Sequence, residues 1–276
     1  MNPHAAKPIS LQSLARSLWT NRHLIVQITR RDVIGRYKGS VMGVLWSLLN
    51  PLFMLIVYTF VFSVVFKARW GTDLNESKSQ FAILLFVGMI IHGLLAETLN
   101  RAPTIILANV AYVKKIVFPL EILPVVAIGV ALFHAFVSVG ILLCAFLLIH
   151  GYLQWTAVLL PLVVLPLVVL TLGLAWLLAS LGVFLRDVAH PVSLLTTVLL
   201  FASPVFYPIT ALPEFVRPWL LLNPLTFILE QARAVLIFGQ MPHWSGLAIY
   251  MSLAVMVAWV GYAWFQKTRK GFANVL

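Results

Sequence analysis

Acidic residues are scarce in this chain: 276 residues hold eight Asp and Glu, and charged residues of both signs make up 10%. An ordinary soluble domain carries roughly 25%. With 62% of the residues hydrophobic, a water-soluble core cannot absorb the apolar surface, which excludes a soluble enzyme or binding domain. The acids are also scattered, with no pair placed for acid–base catalysis. Cysteine is nearly missing. Cys144 stands alone in an apolar run, so there is no intrachain disulfide, and the isolated histidines have no neighbouring sulfur ligand for a metal. His92 and Glu97 share the spacing of an acyltransferase motif, but that motif wants Asp at the membrane surface. A phosphate-cradling G-x-x-x-x-G-K-[ST] loop is absent as well, since Gly35 and Gly39 have the wrong spacing and no following lysine. ATP, if it drives this protein, is hydrolysed on another chain, and no cofactor is expected on this one.

What the chain does have is long apolar runs. Bilayer hydrocarbon of roughly 30 Å needs about 20 helical residues to cross, and runs of that length recur, predicting an all-α membrane protein. Six spans are expected, at about 41–66, 81–107, 120–149, 155–184, 191–207 and 244–265. They form a transmembrane domain over 41–266, between an N-terminal tail, 1–40, and a C-terminal tail, 267–276. The tail before the first span lacks an apolar stretch followed by a small-residue cleavage site. No signal peptide is expected, and the first span directs insertion.

A net charge of +11 would suggest nucleic acid as partner in a soluble protein. Here the basic residues flank the spans. Lys7, Arg16, Arg22, Arg30, Arg31, Arg36, Lys38, Lys114, Lys115, Arg186, Lys267, Arg269 and Lys270 fall on one side, against Lys67, Arg69, Lys78, Arg217 and Arg233 on the other. The positive-inside rule then places both termini in the cytoplasm. Over residues 10–31, Leu11, Leu14, Leu18, Ile25 and Ile28 recur at helical steps, with Arg16, Arg22 and Arg30 elsewhere on the wheel, as in an amphipathic helix lying at the interface. Between the last two spans, Pro204, Pro208, Pro213, Pro218 and Pro224 forbid one continuous helix while the sequence stays apolar. Short re-entrant helices satisfy both facts.

Glu97 and Arg101 lie one helical turn apart in the second expected span, where their side chains can meet. Ionisable groups at that depth face the bundle interior or water, so a structural ion pair is expected, with a gate or path element as the alternative. His134 is expected to hydrogen-bond a neighbouring helix. A short surface helix over 110–117, ended by Phe118-Pro119, reads either as a basic turn or as a lever for a cytosolic partner.

Three stretches carry a family resemblance. The first runs from Arg31-Asp32 through Arg36-Tyr37-Lys38, Ser40, Gly43 and Trp46 to Pro51. The second is Lys115 to Pro124, and the third is Ser203 to Pro208 followed by Leu212-Pro213 and Leu222-Asn223-Pro224. Together they closely resemble the permeases of polysaccharide and polyol-phosphate ABC exporters. Leu120 departs from the arginine many such permeases carry after Phe-Pro. The resemblance implies an export permease of the bacterial inner membrane, for O antigen in the first place with capsule and teichoic acid as alternatives sharing the same pattern, that works as a homodimer with an ABC ATPase subunit holding ATP and Mg. It implies that 10–31 lies against that ATPase, that Tyr112, Val113, Lys114, Lys115 and Ile116 form the coupling helix, and that 204–239 forms periplasmic gate helices.

An undecaprenyl-linked glycan would then be the substrate. Sugar rings pack on aromatic faces, which singles out Tyr58, Phe62 and Phe66 at four-residue steps, with Phe201, Phe206 and Tyr207, as conduit lining; the same residues suit a lipid-facing belt. Arg30, Arg31, Arg36 and Lys38 sit at headgroup level, where arginine suits a pyrophosphate and equally anchors to anionic membrane lipid. Two rival readings are a permease for a small lipid or drug, and a membrane-embedded transferase acting on lipid-linked sugars.

Overall fold

The computed structural model describes residues 10–65, 78–114, 118–221 and 223–276, and among them the chain forms helices and turns with no strand. Helix α1 (Leu11–Thr20) begins where the Ser10 hydroxyl oxygen accepts from the Ser13 amide at 3.1 Å. At Asn21 the backbone departs from helical geometry and the side-chain amide donates to the Ser17 carbonyl at 2.7 Å. The single amphipathic helix expected over 10–31 is therefore two helices. The second, α2 (Arg22–Tyr37), continues past Arg31 and buries Ile28 and Val33.

Helix α3 (Trp46–Tyr58) contains Pro51 and runs on through a π-helical stretch, Thr59–Val65. After it come α4 (Lys78–Arg101), the short α5 (Val110–Lys114), and α6 (Ile122–His150), which Gly151 ends at φ 77°. The remainder is α7 (Leu160–Phe184), α8 (Ala189–Ala202), α9 (Arg217–Leu221), α10 (Pro224–Leu236), α11 (Trp244–Thr268) and α12 (Phe272–Val275).

Among the described residues, five stretches are long and apolar enough to cross a bilayer: Gly43–Phe62, Gln80–Thr104, Ile122–His150, Trp155–Phe184 and Trp244–Val275. The remaining expected span, 191–207, contains α8, which stops at Ala202 before Ser203-Pro204. Its 14 residues reach about 21 Å, short of the hydrocarbon thickness.

Helix α4 is the centre of the bundle, with 83% of its apolar window buried, against 11% for the windows of α3 and α6. Helices α7 and α11 cross at small residues, as membrane helices do where backbones approach closely. A Cβ on Gly173 would lie 2.6 Å from the Ala258 Cα, and one on Gly261 would collide with the Gly173 carbonyl. Two apolar cores result. One joins α4, α7 and α10. The other gathers α1, Val113 of α5, the start of α6, and Phe265 and Phe272 at the end of the chain. This second region, where both ends of the described chain meet, is called the terminal end below, and the opposite one the distal end.

Candidate functional site

Polar groups inside so apolar a bundle need partners, and their pairing defines the candidate site. Helix α2 carries Asp32 and Arg36 one turn apart, and α4 presents Glu97 and Arg101 at the same spacing. The four pair across the helices. Arg36 Nη1 lies 2.5 Å from Glu97 Oε1, and Arg101 bonds Asp32. The expected Glu97–Arg101 pair is thus replaced by two interhelical pairs. Pairing within each helix would also have balanced the charges, so the choice rests on geometry: α2 is turned so that each acid faces an arginine of the other helix, and the two pairs tie α2 to α4. His134 of α6 completes the group, with Nδ1 2.9 Å from Glu97 Oε2 and Nε2 3.2 Å from the Tyr37 hydroxyl. His134 stands about 18 Å along α6 from Ile122, so α2 reaches well into the bundle. A cleft of about 370 Å³ between α3, α4 and α6 opens on this group and is lined by Tyr58, Met89, Glu97, His134 and Ser138.

At the terminal end, the Tyr112 ring stacks on Phe118 with centroids 4.3 Å apart and planes 10° from parallel. Arg31 donates to the Tyr112 hydroxyl at 3.0 Å, and that bond holds the guanidinium pKa above its ordinary value. Val113 is buried, Lys114 ends α5, and Lys115 and Ile116 lie outside the described residues. Just after them, Glu121 is fully buried. It accepts from the Ser17 hydroxyl at 2.8 Å and from Arg269 Nη1 at 2.8 Å, while its carbonyl accepts from the Trp176 indole at 2.9 Å.

The four basic residues expected at headgroup level do not form one cluster of free cations. Arg30 and Lys38 are exposed, whereas Arg31 turns to Tyr112 and Asp32, and Arg36 to Glu97. The aromatic residues do come together. Phe62 stacks on Phe206 at 5.7 Å, Phe206 on Phe201 at 5.5 Å, and Tyr58 lies 6.4 Å from Phe62. Tyr207 donates its hydroxyl proton to the Phe201 carbonyl at 3.0 Å. Phe81 joins them, 5.8 Å from Phe62, and Phe66 lies outside the described residues.

The distal end is organised by Arg233 of α10. Its buried guanidinium donates to the carbonyls of Leu84, Pro204 and Val205 and to Glu230 Oε1. Nearby, Asn223 caps α10 through the Leu225 amide at 2.9 Å and donates to Ser203 Oγ at 2.9 Å. Sorting basic residues by membrane side hides Arg233 and Arg269, and the sequence reading also missed Asp32 and Glu121. The scarcity of acids was the usable signal: among the described residues, Asp32, Glu97, Glu121 and Glu230 each hold an arginine.

The family described as "ABC-2 type transporter" matches residues 23–237. An "O-antigen export system permease protein RfbA" from Myxococcus xanthus is 29% identical over 263 residues, covering 95% of this chain and 98% of that protein. A protein of the same description from Klebsiella pneumoniae is 27% identical over 256 residues, covering 92% of this chain and 95% of its own.

Proposed function

Since the chain belongs to the ABC-2 type transporter family, we propose that it is the transport subunit that exports a lipid-linked polysaccharide, of O-antigen type, across the bacterial inner membrane. The observation that carries this reading is end-to-end similarity: relatives described as O-antigen export permeases align over nearly the whole of both chains. In this reading the subunit has six spans and works as a homodimer. Both termini and the terminal end face the cytoplasm, α8 is the fifth span and α11 the sixth, and α9 and α10 are gate helices at the periplasmic face.

Energy would come from a separate ATPase subunit, which binds ATP and Mg and docks on residues 112–116. Closure of the ATPases pushes α5. Arg31 and the Tyr112 hydroxyl pass the movement to α2, and the Asp32–Arg101 and Arg36–Glu97 pairs pass it to α4. The exposed lengths of α3 and α8 leave room for a second copy, and the conduit runs between the copies. Tyr58, Phe62, Phe66, Phe201, Phe206 and Tyr207 would line it, giving sugar rings aromatic faces to slide over without tight binding. Arg30 and Lys38, which keep exposed cations, would receive the pyrophosphate of the undecaprenyl carrier.

Deleting the gene tests the proposal. Surface O polysaccharide should disappear while lipid-linked glycan accumulates at the cytoplasmic face, and a plasmid copy should restore export. Unchanged surface polysaccharide in the deletion strain would overturn it.

A further inference from the structure

The end of the chain was expected to be a plain cytoplasmic tail of positive charge, and its geometry is something else. Arg269 is only 3% exposed, its side chain turned inward between the Glu121 carboxylate at 2.8 Å and the Phe118 carbonyl, which its Nη2 reaches at 3.0 Å. Three residues on, Phe272 is wholly buried, with its ring 5.5 Å from Phe265 and 5.9 Å from Phe184. Leu276 packs on the apolar core that also holds Val113. A cation serving topology alone would stay in water.

We propose that residues 269–276 form a clamp that sets the position of the coupling segment, with Arg269 as its positioning residue. Phe118 and Glu121 lie between α5 and α6, with Glu121 at the N-cap of α6, and they are held from three directions: by Ser17 of α1, by Trp176 of α7 and by Arg269. A buried ion pair contributes little net stability compared with apolar packing of the same volume, and its best-attested use is to fix one arrangement among several. The clamp fixes the register of α5 against α11. Displacement of α5 is thereby delivered to α11, and through the close crossing at Gly261 to α7, as well as to α2. This second route rests on the reading of 112–116 as the ATPase contact.

The test uses the full chain with its ATPase, in the deletion strain and as purified complex. The variants are Arg269→Gln, Arg269→Lys, Phe272→Ala, and the double variant Glu121→Gln with Arg269→Gln, which leaves no unpaired charge buried. Each is scored per assembled complex for ATP turnover and for surface polysaccharide. ATP turnover should stay within about twofold, while export falls about tenfold or more in Arg269→Gln, Phe272→Ala and the double variant, the scale of effect expected along a coupling route. Arg269→Lys, which keeps the charge facing Glu121, should fall in between. Export and turnover that remain at wild-type ratio in both Phe272→Ala and the double variant would overturn the clamp. If instead the wild-type gene fails to restore surface polysaccharide, it is the export reading that falls.

Discussion

Two arginines are buried at opposite ends of this molecule, and they are held in opposite ways. Arg269, at the terminal end, meets a carboxylate as inaccessible as itself, Glu121. Arg233, at the distal end, directs most of its donors to main-chain carbonyls, and its acidic contact, Glu230, is 38% exposed. The difference follows from what the backbone does in each place. Past the end of α8 the chain runs on as non-helical backbone through Pro204 and Val205, whose carbonyls have no intrahelical donors and are buried from water. Arg233 supplies the missing donors. Around Glu121 the buried requirement is for charge balance, and a charge can be balanced or removed in pairs. One arginine therefore completes a backbone, and the other completes a contact.

Removing Arg233 should have the largest effect. Arg233→Ala orphans the Pro204 and Val205 carbonyls at roughly 1–3 kcal/mol each and empties a fully buried site as well, so folded protein recovered in detergent should collapse, and no change at Glu230 should rescue it. Glu121→Ala comes next, because it strands a buried guanidinium at about 3–5 kcal/mol. Here the two ends part company, since pairing Glu121→Leu with Arg269→Met should recover most of the thermal stability. If the double variant is no more stable than Glu121→Ala, the contrast drawn above is wrong.

The α2 pairs are wetter. Arg36→Gln should cost only about 1 kcal/mol, while exchanging the charges, Asp32→Arg with Arg101→Asp, should restore more function than either single change. The smallest effect is expected for Glu230→Ala, below about 1 kcal/mol by thermal unfolding because the carboxylate is partly solvated. A loss as large as that of Arg233→Ala would mean that the ion pair, and not the carbonyls, holds the distal end.

The bundle itself was legible in the sequence, because the length and apolarity of a run answer directly to the thickness of the bilayer. The stretch at 191–207 was harder. Its composition is apolar enough, but Pro204 and the preceding turn of backbone shorten the helix, and length is what composition does not report. Within-helix spacing was equally visible and misled at Glu97 and Arg101: four residues apart is a sound rule for one helix, yet the partner that wins depends on how α2 is rotated against α4. Tyr58, Phe62, Phe201, Phe206 and Tyr207 could be picked out by type, though nothing in the sequence showed that Phe62 stacks on Phe206 or that Phe81 belongs with them. The inward turn of Arg269 was hidden for the same reason. A cation near a span end normally marks the membrane surface, and only the buried acid at Glu121, 148 positions away, draws it in.

The crossing of α7 and α11 at Gly173, Ala258 and Gly261 has a mechanical corollary. Two backbones in direct contact have no side chains between them to repack, so that pair behaves as a single stiff plank. Among the described residues, α3 and α8 show no glycine crossing of that kind. Any change in the girth of the bundle is then taken up by helices outside the plank, which keeps its own shape.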